Sequence, residues 1–124
     1  MELKELQNKI KRFDKERGWD KDWNLKDLSL NLTEEIGELW NLVKWVDVEK
    51  QKEIVKKKKE EVSDFVGDAL FLILKIANQT DIDAEKGVLS TLAEFEKRMP
   101  AEKMREVKHA NKLAGGIDNK ECQQ

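Results

Sequence analysis

Apolar residues recur along the chain at spacings of three and four, the period that places them on one face of an α-helix. Leu3, Leu6, Ile10 and Phe13 mark a first helix, which Gly18 ends after Lys15 and Arg17. Leu25, Leu28, Leu32, Ile36, Leu39 and Val43 mark a second, capped by Asn24 and ending around Trp45 to Asp47. A third opens in the lysines at 56–59 and continues as VSDFVGDALFLILKIAN. On it, at roughly 100° per residue, Val62, Phe65, Val66, Ala69, Leu70, Ile73, Leu74, Ile76 and Ala77 cover about half the circumference. That arc is wider than the stripe of an ordinary surface helix and requires a central position or burial between two protomers. After the TDID turn, with Asp83 as N-cap, Val88, Leu89, Leu92 and Phe95 mark a fourth helix. Pro100 opens a last helix that runs to about Leu113, where Gly115 and Gly116 stop it. No alternating Val/Ile/Thr run signals a strand. The expectation is an all-α fold, a helical bundle of about five helices with a core four-helix arrangement completed by dimerisation. It forms one domain over residues 1–114, followed by a flexible tail over 115–124.

Charge narrows the function classes. Of 124 residues 40% are charged, yet 24 Lys and Arg against 26 Asp and Glu leave a net charge of −2. A chain built to hold a nucleic acid polymer shows a basic excess, so that class is set aside. The single cysteine, Cys122, excludes a disulfide framework or a cysteine zinc site within one chain. No apolar run reaches the ~18 residues of a membrane helix. The opening MELKELQNKIKR does not have the form of a signal peptide, and a cytoplasmic protein is expected.

The acidic residues carry the chemistry. Glu35 and Glu38 share a face of the second helix, about 60° and 120° from the centre of its apolar stripe, with Glu34 on the far side of Glu38. On the third helix Glu61, Asp64 and Asp68 form one column within about 60°. Asp68 interrupts FVGDALFLIL, where its neighbours favour burial, and a buried carboxylate needs a cation, a metal or a proton. Two helices, each offering a carboxylate pair, make an oxygen-rich cage. Hard ions such as Mg²⁺ or Mn²⁺ take oxygen ligands and keep waters for a phosphate substrate. A di-iron bundle needs two Glu-x-x-His pairs, and His109, three after Glu106, is the only histidine. The competing reading is that the acids form solvated faces of a highly charged surface. Lys50, Lys52 and Lys56 to Lys59 read as a solvated helix start or linker, or as a lid that meets a triphosphate.

Glu34-Glu35-Ile36-Gly37-Glu38 followed by Glu61-Val62-Ser63-Asp64 resembles the ExxE and ExxD signature of the MazG-like all-α NTP pyrophosphohydrolases, with residues 39–60 as the spacer. Glu16-Arg17-Gly18-Trp19, the GELWNLVKW run through Trp45, and Lys97-Arg98-Met99-Pro100 are similar to the dCTP pyrophosphatase branch. The resemblance implies Mg²⁺-dependent cleavage of a nucleoside triphosphate to monophosphate and pyrophosphate, with Glu35, Glu38, Glu61 and Asp64 holding the metal. It leaves Glu34 or Glu38 to take the proton of the attacking water, with Glu61 as a further candidate. It also places Lys97 and Arg98 on phosphate, Trp19 and Trp45 near the base, and Asp68 on the substrate side, and implies dimers or tetramers. Departures fall on the substrate half. Thr91 and Phe95 stand where relatives carry Lys and Asn, Asp68 where the branch carries Tyr, and Ile10 where it can place a pocket histidine. Leu25-Lys26-Asp27 replaces a Pro-Arg-Asn-like run, so dCTP is not carried over as substrate. Three functions follow: a pyrophosphohydrolase that cleans nucleotide pools, a nucleotide- or metal-binding module that lost turnover, and a plain helical interaction protein.

Overall fold

Helix α1 (Leu3–Glu16) ends where Gly18 adopts φ 72°, a left-handed conformation that glycine takes without a Cβ penalty. The computed structural model describes residues 1–106. The last helix to Leu113, its Gly115-Gly116 stop, the tail at 115–124, His109, Asn111, Lys112 and Cys122 lie outside the described residues. Beyond Gly18 come α2 (Trp19–Asp22), α3 (Leu25–Val43), α4 (Val48–Lys57), α5 (Lys59–Gln79), α6 (Ala84–Arg98) and α7 (Ala101–Met104). Among the described residues there is no strand, and the all-α expectation holds. No helix among them is long and apolar enough to cross a membrane.

Local chemistry sets these boundaries. The Asn24 side chain accepts from the Asp27 N–H at 2.9 Å, capping α3 as its sequence predicts. Asp47 caps α4 in the same way through the Lys50 N–H at 2.9 Å. The lysine run is not the start of the third predicted helix. Lys56 and Lys57 occupy the last turn of α4, Glu60 and Glu61 the first turn of α5, and the chain breaks at Lys58. Bases at a C-terminus and acids at an N-terminus each suit the helix dipole, which favours two helices over one. Neither α2 nor α4 is foreseen from the apolar pattern, because each is short and mostly exposed.

The chain forms two compact units, Met1–Ala84 and, among the described residues, 85–106. In the first, α5 is the hub, with α3 and α1 packed along it and α4 against both α3 and α5. Leu28 on α3 and Leu74 on α5 are fully buried, joined by Ile10, Ala69 and Ala77. Burying one such leucine contributes about 1.5–3 kcal/mol. The rest of the predicted apolar faces is only partly covered. Ile36 and Trp40 on α3, and Val66, Leu70 and Ile73 on α5, remain exposed. Three of the nine residues of the α5 arc are therefore left uncovered by the described residues.

The turn after α5 is clamped to α1 by Gln7. Its Nε2 donates to Ile82 O at 2.8 Å and its Oε1 accepts from the Ala84 N–H at 3.0 Å. Asn78 Nδ2 donates to Gln7 O at 3.2 Å, and Lys4 pairs with Asp83 at 3.5 Å. Asp81 in this turn has φ 54°, a left-handed conformation that aspartate tolerates better than most residues. In the second unit, Val88, Leu89 and Leu92 of α6 are exposed and Phe95 is half-buried.

Candidate functional site

The seam between α3 and α5 gathers most of the singled-out acids. One cleft, about 220 Å³, is lined by Asn31, Glu34, Glu35, Asp68, Phe71 and Leu72. A second, about 140 Å³, is lined by Glu38, Leu39, Leu42, Glu61 and Phe65. Glu35 and Glu38, three apart on α3, thus serve two clefts of one seam. Asp64 is exposed on α5 between Glu61 and Asp68.

Asp68 is not the buried charge its neighbours suggest. It is exposed, because burial on α5 falls to Ala69 and Leu74 while Asp68 lies on the open side of the seam beside Glu35. The carboxyl under strain is Glu35. It is half-buried, and its pKa is raised above the ordinary 4.5 by loss of water first, then by Glu38, Asp68 and Glu34. Among the described residues no lysine or arginine forms an ion pair with Glu35. Glu61 does have one, Lys58 at 3.7 Å, with both side chains about half exposed, so the pair contributes little.

The donor set suits a hard cation. Its charged groups are carboxylates, one of them with a pKa raised by loss of water and by its acidic neighbours, and a divalent ion would offset both effects. It is not closed in this conformation. Among the described residues no three acidic, histidine or cysteine side chains stand together as a ready ligand set. Glu34, Glu38 and Asp64 are exposed, as is Glu61 in its weak pair with Lys58, so all four can turn toward an ion.

Phe71 connects the acidic cleft to two further features. With Leu6, Ile10, Phe13, Leu70 and Leu74 it lines an apolar pocket of about 390 Å³ between α1 and α5. Its ring also meets Phe13 edge-on at 5.9 Å and lies 5.2 Å from the Lys75 ammonium. Lys75 is 3% exposed, and its ammonium is enclosed by Trp23 at 4.8 Å, Trp19 at 5.3 Å and the Asp14 carboxylate at 3.3 Å. Sequence reasoning passes over Lys75 and Asp14. The signal was present, since Lys75 interrupts LFLILKIAN just as Asp68 interrupts FVGDALFLIL.

The remaining predicted residues are placed as follows. Trp19 opens α2, and its ring meets Phe13 edge-on at 5.8 Å. Trp45, beyond the end of α3, is 88% exposed, with the Lys44 ammonium 6.0 Å over its ring and no aromatic neighbour among the described residues. The structure therefore does not bring the two tryptophans into one aromatic cluster. Lys97 and Arg98 belong to the second unit, at the last turn of α6, where Arg98 pairs with Glu94 at 3.5 Å and lies 5.0 Å over Phe95. Thr91 donates its hydroxyl to Gly87 O at 3.1 Å, four residues back along the same helix.

No family model and no curated protein matches the chain. Among solved structures it is similar to a pyrophosphatase from Archaeoglobus fulgidus, with a TM-score of 0.70 and 24% sequence identity, over 79% of this chain and 92% of that chain. This likeness establishes a shared fold.

Proposed function

We propose that the chain is a nucleoside triphosphate pyrophosphohydrolase, cleaving between the α- and β-phosphates of ribo- or deoxyribonucleotides to give a monophosphate and pyrophosphate. The role is removal of surplus or non-canonical nucleotides in the cytoplasm. The observation that carries the reading is the α3–α5 seam, where Glu34, Glu35 and Asp68 face one cleft, Glu38 and Glu61 the next, and Glu35 has no described basic partner. The Archaeoglobus protein of similar fold is a pyrophosphatase, which supports the reaction class.

Glu35, Glu38, Glu61 and Asp64 are the proposed ligands of Mg²⁺, with Mn²⁺ as a substitute. Bound there, the ion supplies charge neutralisation for the triphosphate and a Lewis acid for the reacting phosphoryl group. Glu34 and Glu38 are the proposed proton acceptors for the attacking water, and Glu34, exposed at the cleft rim, is open to solvent. Lys97 and Arg98 are proposed phosphate contacts, Arg98 offering a planar, two-pronged donor. The apolar pocket beyond Phe71 takes the flat face of the base, and Trp19, packed against Phe13 of its lining, is a stacking surface at its edge. Trp45 and Asp68 are the remaining proposed substrate contacts. A second copy of the chain covers Ile36, Trp40, Val66 and Ile73, whose exposure is costly in a free monomer, giving a dimer or a tetramer of dimers.

The test is direct. The purified chain is incubated with a panel of NTPs and dNTPs and Mg²⁺ or Mn²⁺, and pyrophosphate is measured. Release that disappears in Glu38→Ala and Asp64→Ala supports the enzyme. Nucleotide binding with no turnover overturns it in favour of a binding module.

A further inference from the structure

Helix α2 has only four residues, too few to be stable by its own hydrogen bonds. Its place is set by what its two tryptophans touch. Trp19 meets Phe13 edge-on, Trp23 O accepts a hydrogen bond from Gln79 Nε2, and both indoles lie against the Lys75 ammonium of α5. Lys75 is thus the one charged group, among the described residues, in contact with both rings. Three ring faces around an ammonium form the kind of cage that elsewhere takes a cationic ligand, here filled by the chain itself. Asp14 anchors the ammonium at 3.3 Å, yet its Oδ1 has no hydrogen-bond partner, so the pair holds by charge rather than by a directed bond. Held there against both indoles, the ammonium ties Trp19 and Trp23 to one point on α5. The cage is one ring away from the acidic cleft, since Phe71 belongs to both.

We propose that Lys75 is a positioning residue for nucleotide recognition: its caged ammonium fixes the Trp19–Trp23 turn and so sets the angle at which the Trp19 indole meets a base. The inference rests on the pyrophosphohydrolase reading and adds to it a residue on which base grip depends and phosphate chemistry does not. Lys75 is buried and touches no substrate. Its effect passes through Trp19, which is partly exposed.

The experiment uses the full chain with Mg²⁺. The double variant Asp14→Leu/Lys75→Met removes the cation without leaving a buried charge unpaired, and Lys75→Arg keeps a cation that stacks on aromatic rings. For a preferred nucleoside triphosphate, the double variant is expected to raise KM about tenfold, the usual effect of losing one base–aromatic stack, with kcat within about twofold of wild type. Inhibition by tripolyphosphate, which has no base, stays unchanged, and Lys75→Arg restores KM. An unchanged KM in the double variant, or equal weakening of tripolyphosphate, overturns the proposal while leaving the enzyme reading intact. A wild-type chain that neither binds nor cleaves any nucleotide overturns both. Should the double variant not fold, fluorine spectra of 5-fluorotryptophan-labelled wild type decide. A Trp19 resonance that moves with nucleotide and not with tripolyphosphate in wild type and Lys75→Arg, and loses that response in the milder Asp14→Asn/Lys75→Gln pair, supports the proposal. A Trp19 resonance that ignores nucleotide refutes it.

Discussion

Replacing Glu35 by glutamine removes one negative charge from a set of four carboxylates while keeping shape and helix propensity nearly constant. Glu34 precedes it, Glu38 lies one turn along α3, and Asp68 faces it from α5. Partial loss of water, Glu38 at helical spacing (a few tenths of a kcal/mol by itself), Asp68 across the seam and Glu34 together amount to roughly 0.5–1 kcal/mol. Glu35→Gln is therefore expected to stabilise the metal-free chain by about that amount at pH 7. For a domain of this size the gain is about 2–4 °C in Tm. The folded pKa lies above 4.5, so the folded chain binds this proton more tightly than the unfolded chain does. The penalty is absent below the unfolded value, grows as pH rises through the raised folded value, and is complete above it. The advantage of the variant should follow that curve and vanish in acid. Thermal unfolding of both proteins from pH 4 to pH 8 in a chelator, repeated in Mg²⁺, measures it. Mg²⁺ at a hundred times its dissociation constant should raise wild type by about 2.7 kcal/mol and reverse the order of the two proteins. A Glu35→Gln chain that is less stable than wild type without metal, or equally raised by Mg²⁺, refutes the reasoning.

Other outcomes follow from the same structure. Asp14→Ala leaves the Lys75 ammonium buried without its counter-charge and is expected to cost about 3–5 kcal/mol, whereas Asp14→Leu/Lys75→Met should be near neutral, both read by urea unfolding. Gln7→Ala removes a donor to Ile82 O and an acceptor for Ala84 N–H, and should cost about 1–3 kcal/mol and speed amide exchange at Ala84. Sedimentation should show a dimer or tetramer, and Val66→Glu or Ile73→Glu should shift it to monomer; a wild-type monomer at all concentrations counts against a second copy covering α5.

The helical skeleton is legible in the sequence because the 3.6-residue period is dense: α1, α3, α5 and α6 lie where Ile10, Leu28, Leu74 and Phe95 recur with their neighbours, and the Asn24 cap is where its side chain suits it. The helices missed, α2 and α4, are short segments held by contacts from elsewhere, Lys75 and Gln79 on α2 above all. Periodicity also overstates burial. Ile36, Val66 and Ile73 fit the apolar stripes but are left exposed by the described residues, since a helical wheel shows which residues share a face and not whether anything packs there. The acidic set is readable as a column on each helix, and the two columns do share a seam through Glu35, Asp68, Glu38 and Glu61. Which acid bears the strain is not readable. Asp68 looks more out of place in the sequence, but the packing of α3 on α5 confines Glu35 instead. The Asp14–Lys75 pair, far apart in sequence, becomes visible only once α1 and α5 are side by side.

The most direct measurement is pyrophosphate release from nucleoside triphosphates by the purified chain in Mg²⁺, compared with Glu38→Ala and Asp64→Ala chains of matched folding. Release by wild type that falls at least about 100-fold in both variants is the expected result. Undiminished release in either variant, or none from wild type with any nucleotide, contradicts the α3–α5 seam as the catalytic site.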